Sequence, residues 1–168
     1  MSAFRRVLLF IVGFVALQSL WIAAGGSAVE RMVIDKATVE VAATWVRLLT
    51  PEVPVAAVGP RLTAPGGGIN VLKGCEGTDV LFLLLAAFAV ADLSWRRRLA
   101  GMMLGAMLVY LLNQARVVAL FYAYRQDKAL FDLLHGSLGP LLMVVVVGLF
   151  FFAWLQQPAA QPDDQPAA

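Results

Sequence analysis

The sequence predicts an all-α multi-pass membrane protein with four transmembrane helices. Of its 168 residues, 61% are hydrophobic and only 14% are charged, whereas a soluble domain has about 45–50% apolar and about 25% charged residues. The apolar residues are collected into long runs, which a bilayer accommodates and the core of a small soluble domain does not. We therefore expect a single integral membrane domain over residues 1–155.

Four runs approach the roughly 20 residues needed to cross about 30 Å of hydrocarbon. They cover about residues 7–24, 78–93, 99–123 and 137–155, and the second is the shortest. An alternative interpretation of the first run is a cleaved signal peptide, because Gly26-Ser27-Ala28 offers small residues at a plausible cleavage point. Its apolar stretch is longer than the 7–15 residues typical of a signal peptide, which favours a retained span.

The short basic segments predict that both termini are cytoplasmic. Arg5 and Arg6 precede the first span, and residues 96–98 form an Arg-Arg-Arg turn between the second and third. Basic residues near span ends prefer the cytoplasmic side, so residues 25–77 and 124–136 are expected outside. The five basic residues of the long segment oppose this orientation. Acidic residues, among them Glu30, Asp35, Glu40 and Glu52, balance them, and long segments influence orientation less. Residues 156–168, rich in Pro, Gln, Ala and Asp, are predicted to form a disordered cytoplasmic tail.

The outer segment, residues 25–77, is expected to contain an amphipathic helix followed by a small β-hairpin. Between Ala28 and Thr50, one helical face is apolar and the opposite face is charged. The apolar positions are Ile34, Ala37, Val41, Trp45 and Leu48, and the charged positions are Lys36, Glu40 and Arg47. Such a helix lies on the membrane surface or packs on the ends of the spans. From Pro51 to Lys73, four prolines, three consecutive glycines and short β-prone pieces predict the hairpin, which leads into Cys75.

Cys75 is the only cysteine of the chain and a candidate nucleophile. It lies in the polar, glycine-bounded turn Gly74-Cys75-Glu76-Gly77, directly before an apolar helix. The positive end of a helix dipole favours the thiolate, and flanking glycines let a substrate backbone approach closely. The ordinary alternative is a small buried hydrophobic residue, which more often lies inside an apolar stripe.

Arg116 lies within the third predicted span, near its outer end. An arginine in a span costs a few kcal/mol on insertion scales unless it is paired or hydrated, so it is a candidate site residue. The alternative is a snorkelling side chain that marks the end of the span. Asn113 is one helical turn away on the same face, which suggests a shared polar surface or a hydrogen bond between helices.

His135 is the only histidine of the chain and is expected at the same membrane depth as Cys75 and Arg116. A histidine within hydrogen-bond reach is the usual activator of a cysteine nucleophile. Asp132 is a candidate for orienting its ring and Asp79 for polarising the Cys75 turn, although solvated acids are the simpler interpretation. A single cysteine and a single histidine exclude an internal disulfide and the common zinc sites, so we expect no metal and no cofactor. The net charge of +2 does not suggest a nucleic-acid partner.

Two further features are interpreted as structural. Gly101 and Gly105 are spaced as in small-residue contacts between membrane helices. Four aromatic residues are interpreted as anchors at the lipid interface. These are Trp21, Trp95, Tyr124 and Trp154.

Three motifs together resemble the exosortase/archaeosortase family of membrane transpeptidases. They are Gly74-Cys75-Glu76-Gly77, Asn113-Gln114-Ala115-Arg116 and His135-Gly136-Ser137-Leu138-Gly139. The resemblance covers roughly residues 69–155 and implies that Cys75, Arg116 and His135 are the catalytic residues. It also implies substrates that are secreted proteins with a C-terminal sorting tail, made of a short motif, a transmembrane helix and a basic cluster. The enzyme would lie in the bacterial inner membrane with its site facing outward. The chain departs from the family in having four predicted spans where many members have about eight, and in having Glu76 where a small residue is common.

The leading hypothesis is therefore a cysteine transpeptidase or protease that acts through a Cys75 thioester. A second hypothesis is a non-enzymatic membrane assembly factor for exopolysaccharide or protein export, which would use the outer helix and hairpin as a docking surface. A third is a small carrier that binds an anionic substrate through Arg116. The lack of an inverted repeat and of broken helices in the predicted spans disfavours a carrier.

Overall fold

The computed structural model describes residues 2–157, which form five helical segments and one small sheet. The helices are α1 (Ala3–Ala23), α2 (28–49), α3 (Thr78–Val90), α4 (Trp95–Gln126) and α5 (Lys128–Gln156). Strands β1 (Ala56–Val58), β2 (Arg61–Ala64) and β3 (Gly67–Asn70) lie between α2 and α3 and pair antiparallel in the order β1-β2-β3. The predicted tail, residues 156–168, lies outside the described residues from position 158 onward.

Within residues 2–157, three helices are long and apolar enough to cross a membrane, namely α1, α4 and α5. Helix α3 is also apolar but has only 13 residues, which corresponds to about 20 Å at 1.5 Å per residue. That length is short of the roughly 30 Å of hydrocarbon in a bilayer. The fourth span and the orientation of the protein therefore remain predictions.

Helix α3 lies at the centre of the helix packing, in contact with α1, α4 and α5. Two glycines of α4 allow the close approach of its neighbours, as predicted. A Cβ atom at Gly101 would lie 2.6 Å from the Phe88 ring, and one at Gly105 would lie 2.4 Å from Leu84. The Phe88 ring in turn meets the edge of Phe151 on α5, with ring centroids 4.9 Å apart. This small-residue contact is confirmed.

Helix α5 begins nine residues earlier than the predicted span. Asp127 caps it, since its Oδ1 accepts hydrogen bonds from the backbone N–H groups of Ala129 (2.8 Å) and Leu130 (3.2 Å). The helix then passes through a π-helical turn, Leu134–Leu138, and continues past Pro140. This wider turn accommodates the proline, which lacks a backbone N–H, so the helix starts well before residue 137. The start of the membrane span itself stays a prediction. His135 therefore lies inside α5, not in a loop before it.

The predicted outer helix forms as α2, but its buried face differs from the predicted face. Its middle part, Met32–Glu40, is π-helical, and hydrogen bonds from i to i+5 shift the side chains away from the 3.6-residue period. The buried side chains are Ile34, Thr38, Val39, Ala42, Ala43 and Val46, whereas Trp45 and Leu48 are exposed. The carbonyl of Ala37 accepts hydrogen bonds from Tyr110 (2.8 Å) and Gln114 (3.0 Å), which hold α2 on α4. Its placement on a membrane surface remains a prediction.

The predicted hairpin is a three-stranded sheet. The additional strand is β2, which the prediction missed because prolines and glycines flank it closely on both sides. Its Leu62 is fully buried in the same cluster as the buried residues of α2 and the end of α4. At the far edge, the Tyr124 ring lies 2.9 Å from the position of a Cβ at Gly67, and Arg125 donates a hydrogen bond to the Pro65 carbonyl (2.8 Å). The sheet is thereby fixed on the end of α4.

Candidate active site

The turn that contains Cys75 connects β3 to α3. Gly74 and Gly77 have φ angles of +88° and +85°, a backbone region that residues with a Cβ rarely adopt. The Cys75 N–H donates a hydrogen bond to the Leu72 carbonyl (2.9 Å), and Gly77 is the N-cap residue of α3. The thiol is free and half-buried. The two glycines thus shape a tight turn around the Cys75 thiol, which we call the Cys75 turn (residues 74–77).

Cys75 and His135 line the same cavity, which has a volume of about 360 Å³. The remaining lining residues come from β3 and its exit and from the aromatic residues at the junction of α4 and α5. They are Gly68, Ile69, Asn70, Leu72, Lys73, Tyr124 and Phe131. Within residues 2–157, no hydrogen bond joins the Cys75 thiol to the His135 ring. The two side chains therefore face a shared space that can hold a ligand.

A stack of aromatic rings holds His135 at the wall of this cavity. Its imidazole lies parallel to the Phe131 ring, with centroids 5.5 Å apart and an interplanar angle of 3°. Phe131 in turn meets Tyr124 edge to face at 5.6 Å. His135 itself is exposed. The π-helical turn and the stack together present the ring to the cavity.

Arg116 is half-buried on α4 and lies between the Cys75 turn and α5. Its Nε atom is buried and has no hydrogen-bond partner among the described residues, and it lies 3.0 Å from the position of a Cβ at Gly139. Its positive charge acts on the Cys75 thiol, where it opposes the effect of burial. Arg116 also lines a second, mostly apolar cavity of about 210 Å³ together with Leu134 and Gly139.

Burial raises the pKa of the Cys75 thiol above its ordinary value. The charge of Arg116 opposes this rise, and the charge of Glu76 adds to it. The direction differs from the sequence-based expectation that the helix terminus favours the thiolate. Cys75 precedes the first residue of α3, Thr78, by three positions and is half-buried, so desolvation outweighs the dipole. At neutral pH the thiol therefore needs a base to become a nucleophile.

The three candidate supporting residues have different environments. Asn113 is fully buried against the Cys75 turn, with its Cγ 3.1 Å from the position of a Cβ at Gly77 and its Oδ1 unpaired within residues 2–157. Asp79 is exposed and accepts a hydrogen bond from Gln18 of α1 (2.8 Å). Asp132 is exposed and makes no hydrogen bond to His135 in the described structure. Of the three, Asn113 is the one buried against the turn, whereas the exposed Asp79 carboxylate approaches it at Gly74, with its Oδ2 3.6 Å from the position of a Cβ there.

Glu76 is a buried residue of the turn that the sequence analysis did not assign to the site. Its Oε1 accepts hydrogen bonds from the Trp21 indole (2.7 Å) and the Thr78 hydroxyl (2.6 Å). Trp21 is only 8% exposed, so its interpretation as an interfacial anchor is wrong. The contact was missed because its partners are 55 residues apart in the sequence. The sequence feature that could have assigned Glu76 to the site is an acidic side chain directly before an apolar helix.

The chain was compared with known protein families, curated proteins and solved structures. The model of the transmembrane exosortase family matches residues 2–152. No match was found among curated proteins or solved structures. The match extends over the helices, the sheet and all three motifs singled out in the sequence. The chain therefore belongs to the transmembrane exosortase family.

Proposed function

We propose that this protein is a membrane cysteine transpeptidase or protease that removes C-terminal sorting signals from secreted proteins at the outer face of the cytoplasmic membrane. One observation is the main support for this proposal. Cys75 and His135 line one cavity, and Arg116 lies beside the thiol. A nucleophile, an acid–base group and a cation thereby converge from three different parts of the chain.

In the proposed reaction, His135 accepts the proton of the Cys75 thiol, and the sulfur attacks the carbonyl carbon of the scissile peptide bond. The tetrahedral oxyanion is stabilised by the positive charge of the Arg116 guanidinium, which also acts on the Cys75 thiol. The C–N bond then breaks, His135 returns the proton to the leaving amine, and a thioester on Cys75 remains. An acceptor amine or water attacks the thioester and releases the product. The raised pKa of Cys75 makes the base necessary.

Processing of a tailed reporter tests this proposal. The reporter is a secreted protein whose C-terminus is the motif, helix and basic cluster of a tailed protein encoded in the same genome. Coexpression with the wild type should release the tail, whereas Cys75→Ser, Arg116→Gln and His135→Asn should each reduce release by orders of magnitude. Arg61→Gln is the matched control, since its side chain is exposed outside the cavity.

A trapped intermediate distinguishes covalent from indirect action. We expect a conjugate of enzyme and reporter that neutral hydroxylamine cleaves and that Cys75→Ser does not form. Labelling of Cys75 by a membrane-impermeant maleimide in intact spheroplasts tests the outward orientation. Full processing by Cys75→Ser would exclude the proposal.

A non-enzymatic assembly factor is the second candidate function. It is favoured by an exposed apolar group on α2, formed by Trp45, Leu48 and Leu49, which is suited to a docking surface. This function predicts that Cys75→Ser and His135→Ala keep export intact, while a Trp45→Ala, Leu48→Ala double variant abolishes it. The transpeptidase predicts the opposite pattern.

A further inference from the structure

We propose that Glu76 is a positioning residue for Cys75, which ties the Cys75 turn to the end of α1 and places a buried carboxyl group beside the thiol. This inference rests on the proposed function only in so far as Cys75 is the nucleophile. It adds α1, through Trp21, to the elements that determine the geometry of the site.

The hydrogen bonds of Glu76 reach two other elements. The Trp21 indole comes from α1, and the Thr78 hydroxyl from the first residue of α3; both donate to Oε1. Glu76 is 7% exposed, and its second oxygen, Oε2, is buried without a partner among residues 2–157. A buried carboxyl group held by polar donors is costly to disturb, because loss of one donor leaves a buried oxygen without a partner.

A second contact ties the entrance of the turn to the same end of α1. The Lys73 ammonium donates hydrogen bonds to the carbonyls of Trp21 (3.2 Å) and Ile22 (3.3 Å) and lies 5.5 Å from the centroid of the Trp21 ring. It also pairs with Glu30 of α2 at 3.2 Å. The backbone on both sides of Cys75 is therefore fixed to α1, so a change at Trp21 is transmitted to the thiol.

The charges around the thiol oppose each other. The titratable groups near Cys75 are Lys73 and Glu76 on either side in the chain, Asp79 on α3, Arg116 on α4 and His135 on α5. Arg116 favours the thiolate, and Glu76 disfavours it. Burial is the main cause of the raised pKa of the Cys75 thiol, and the charge of Glu76 adds to that rise. Glu76 therefore limits the reactivity of the Cys75 thiol as well as fixing its position.

The test compares two variants of the full-length protein in membranes. Glu76→Gln keeps an acceptor oxygen for Trp21 and Thr78 but removes the charge, whereas Trp21→Phe keeps the charge but removes the indole donor. Trp95→Phe is the matched control, because Trp95 is 70% exposed. For each variant, the rate of maleimide labelling of Cys75 is measured across pH, and kcat and KM are measured with the tailed reporter.

We expect Glu76→Gln to move the labelling profile to lower pH, so that Cys75 reacts several-fold faster at neutral pH. Trp21→Phe should leave the midpoint of the profile unchanged and lower kcat about ten-fold with little change in KM, as expected for one lost hydrogen bond to a charged group. The inference is overturned if Glu76→Gln leaves the profile unchanged, or if Trp21→Phe processes the reporter like Trp95→Phe. Failure of the proposed function gives a different result. Neither the wild type nor any variant then processes the reporter, but Glu76→Gln still moves the labelling profile of Cys75.

Discussion

Gly139 of α5 lies directly against the side chain of Arg116. A Cβ at this glycine would stand 3.0 Å from the Arg116 Nε and 2.4 Å from the carbonyl oxygen of Leu134. Since that carbonyl belongs to the π-helical turn that includes His135, one glycine permits both the position of the arginine and the shape of the turn.

Gly139→Ala should therefore displace Arg116 and distort the turn around His135. We expect the free energy of unfolding to fall by about 1–3 kcal/mol, as for other overpacked sites. Reporter processing should fall by about ten-fold or more, because small misplacements of catalytic groups are costly. Thermal unfolding in detergent and the processing assay measure these effects. Gly148→Ala on the same helix is the control, since a Cβ there meets nothing within 4 Å; equal behaviour of the two variants would contradict the prediction.

The reactivity of Cys75 should rise with pH over a range above that of a free cysteine. Burial raises the pKa of the thiol, and the thiolate is the reactive form, so labelling should be slow at pH 7 and increase until the pH passes the raised pKa. Arg116→Gln removes the charge that opposes this rise, so its labelling profile should move to still higher pH. Exposed Arg61→Gln should match the wild type. A shift to lower pH in Arg116→Gln would show that the guanidinium does not act on the thiol.

Phe131 should support the catalytic orientation of His135. Its ring is parallel to the imidazole, so Phe131→Leu removes the stacking partner while keeping an apolar side chain. We expect a loss of about 0.5–1.5 kcal/mol of aromatic interaction and several-fold lower processing, well short of the loss in His135→Asn. Phe152→Leu, at a 60% exposed position of the same helix, should have no effect on processing. If Phe131→Leu processes the reporter as fast as the wild type, the stacking of Phe131 on His135 does not contribute to catalysis.

Gly101 should be needed for the packing of the helices more than for the chemistry. An added methyl group would lie 2.6 Å from the Phe88 ring and 2.7 Å from the Trp154 indole nitrogen, which donates to the Arg97 carbonyl. Gly101→Ala should lower the free energy of unfolding by about 1–3 kcal/mol. The labelling profile of Cys75, at the other end of α3, should stay unchanged. Thermal unfolding in detergent measures the change in stability, and maleimide labelling measures the environment of Cys75. An unchanged melting temperature of Gly101→Ala would contradict the prediction.

Several features of the site followed from the sequence because they depend on local patterns. Long apolar runs predicted α1, α4 and α5. The placement of Cys75 and His135 next to such runs predicted that both lie at the same membrane depth. The structure places both residues on one cavity. Local patterns failed where the hydrogen bonding was unusual. The π-helical parts of α2 and α5 changed which side chains are buried and where α5 begins.

Contacts between distant residues were beyond the reach of a single sequence. The Trp21–Glu76 hydrogen bond spans 55 residues, and an indole near a predicted span end fits an interfacial anchor equally well. Strand β2 was missed for a local reason, because prolines and glycines flank it closely on both sides. The electrostatic balance at Cys75 likewise depends on burial, which the turn sequence does not reveal.

Helices α4 and α5 are separated by the single residue Asp127, so they form one hairpin that contains both Arg116 and His135. Cys75 belongs to the other half of the chain, and the two halves are joined by the short segment 91–94. A break in that segment would therefore produce two fragments, neither of which has all three groups. If the two fragments were expressed together as separate chains, they would process the reporter only after assembling in the membrane. The amount of processing recovered would then report the affinity between them.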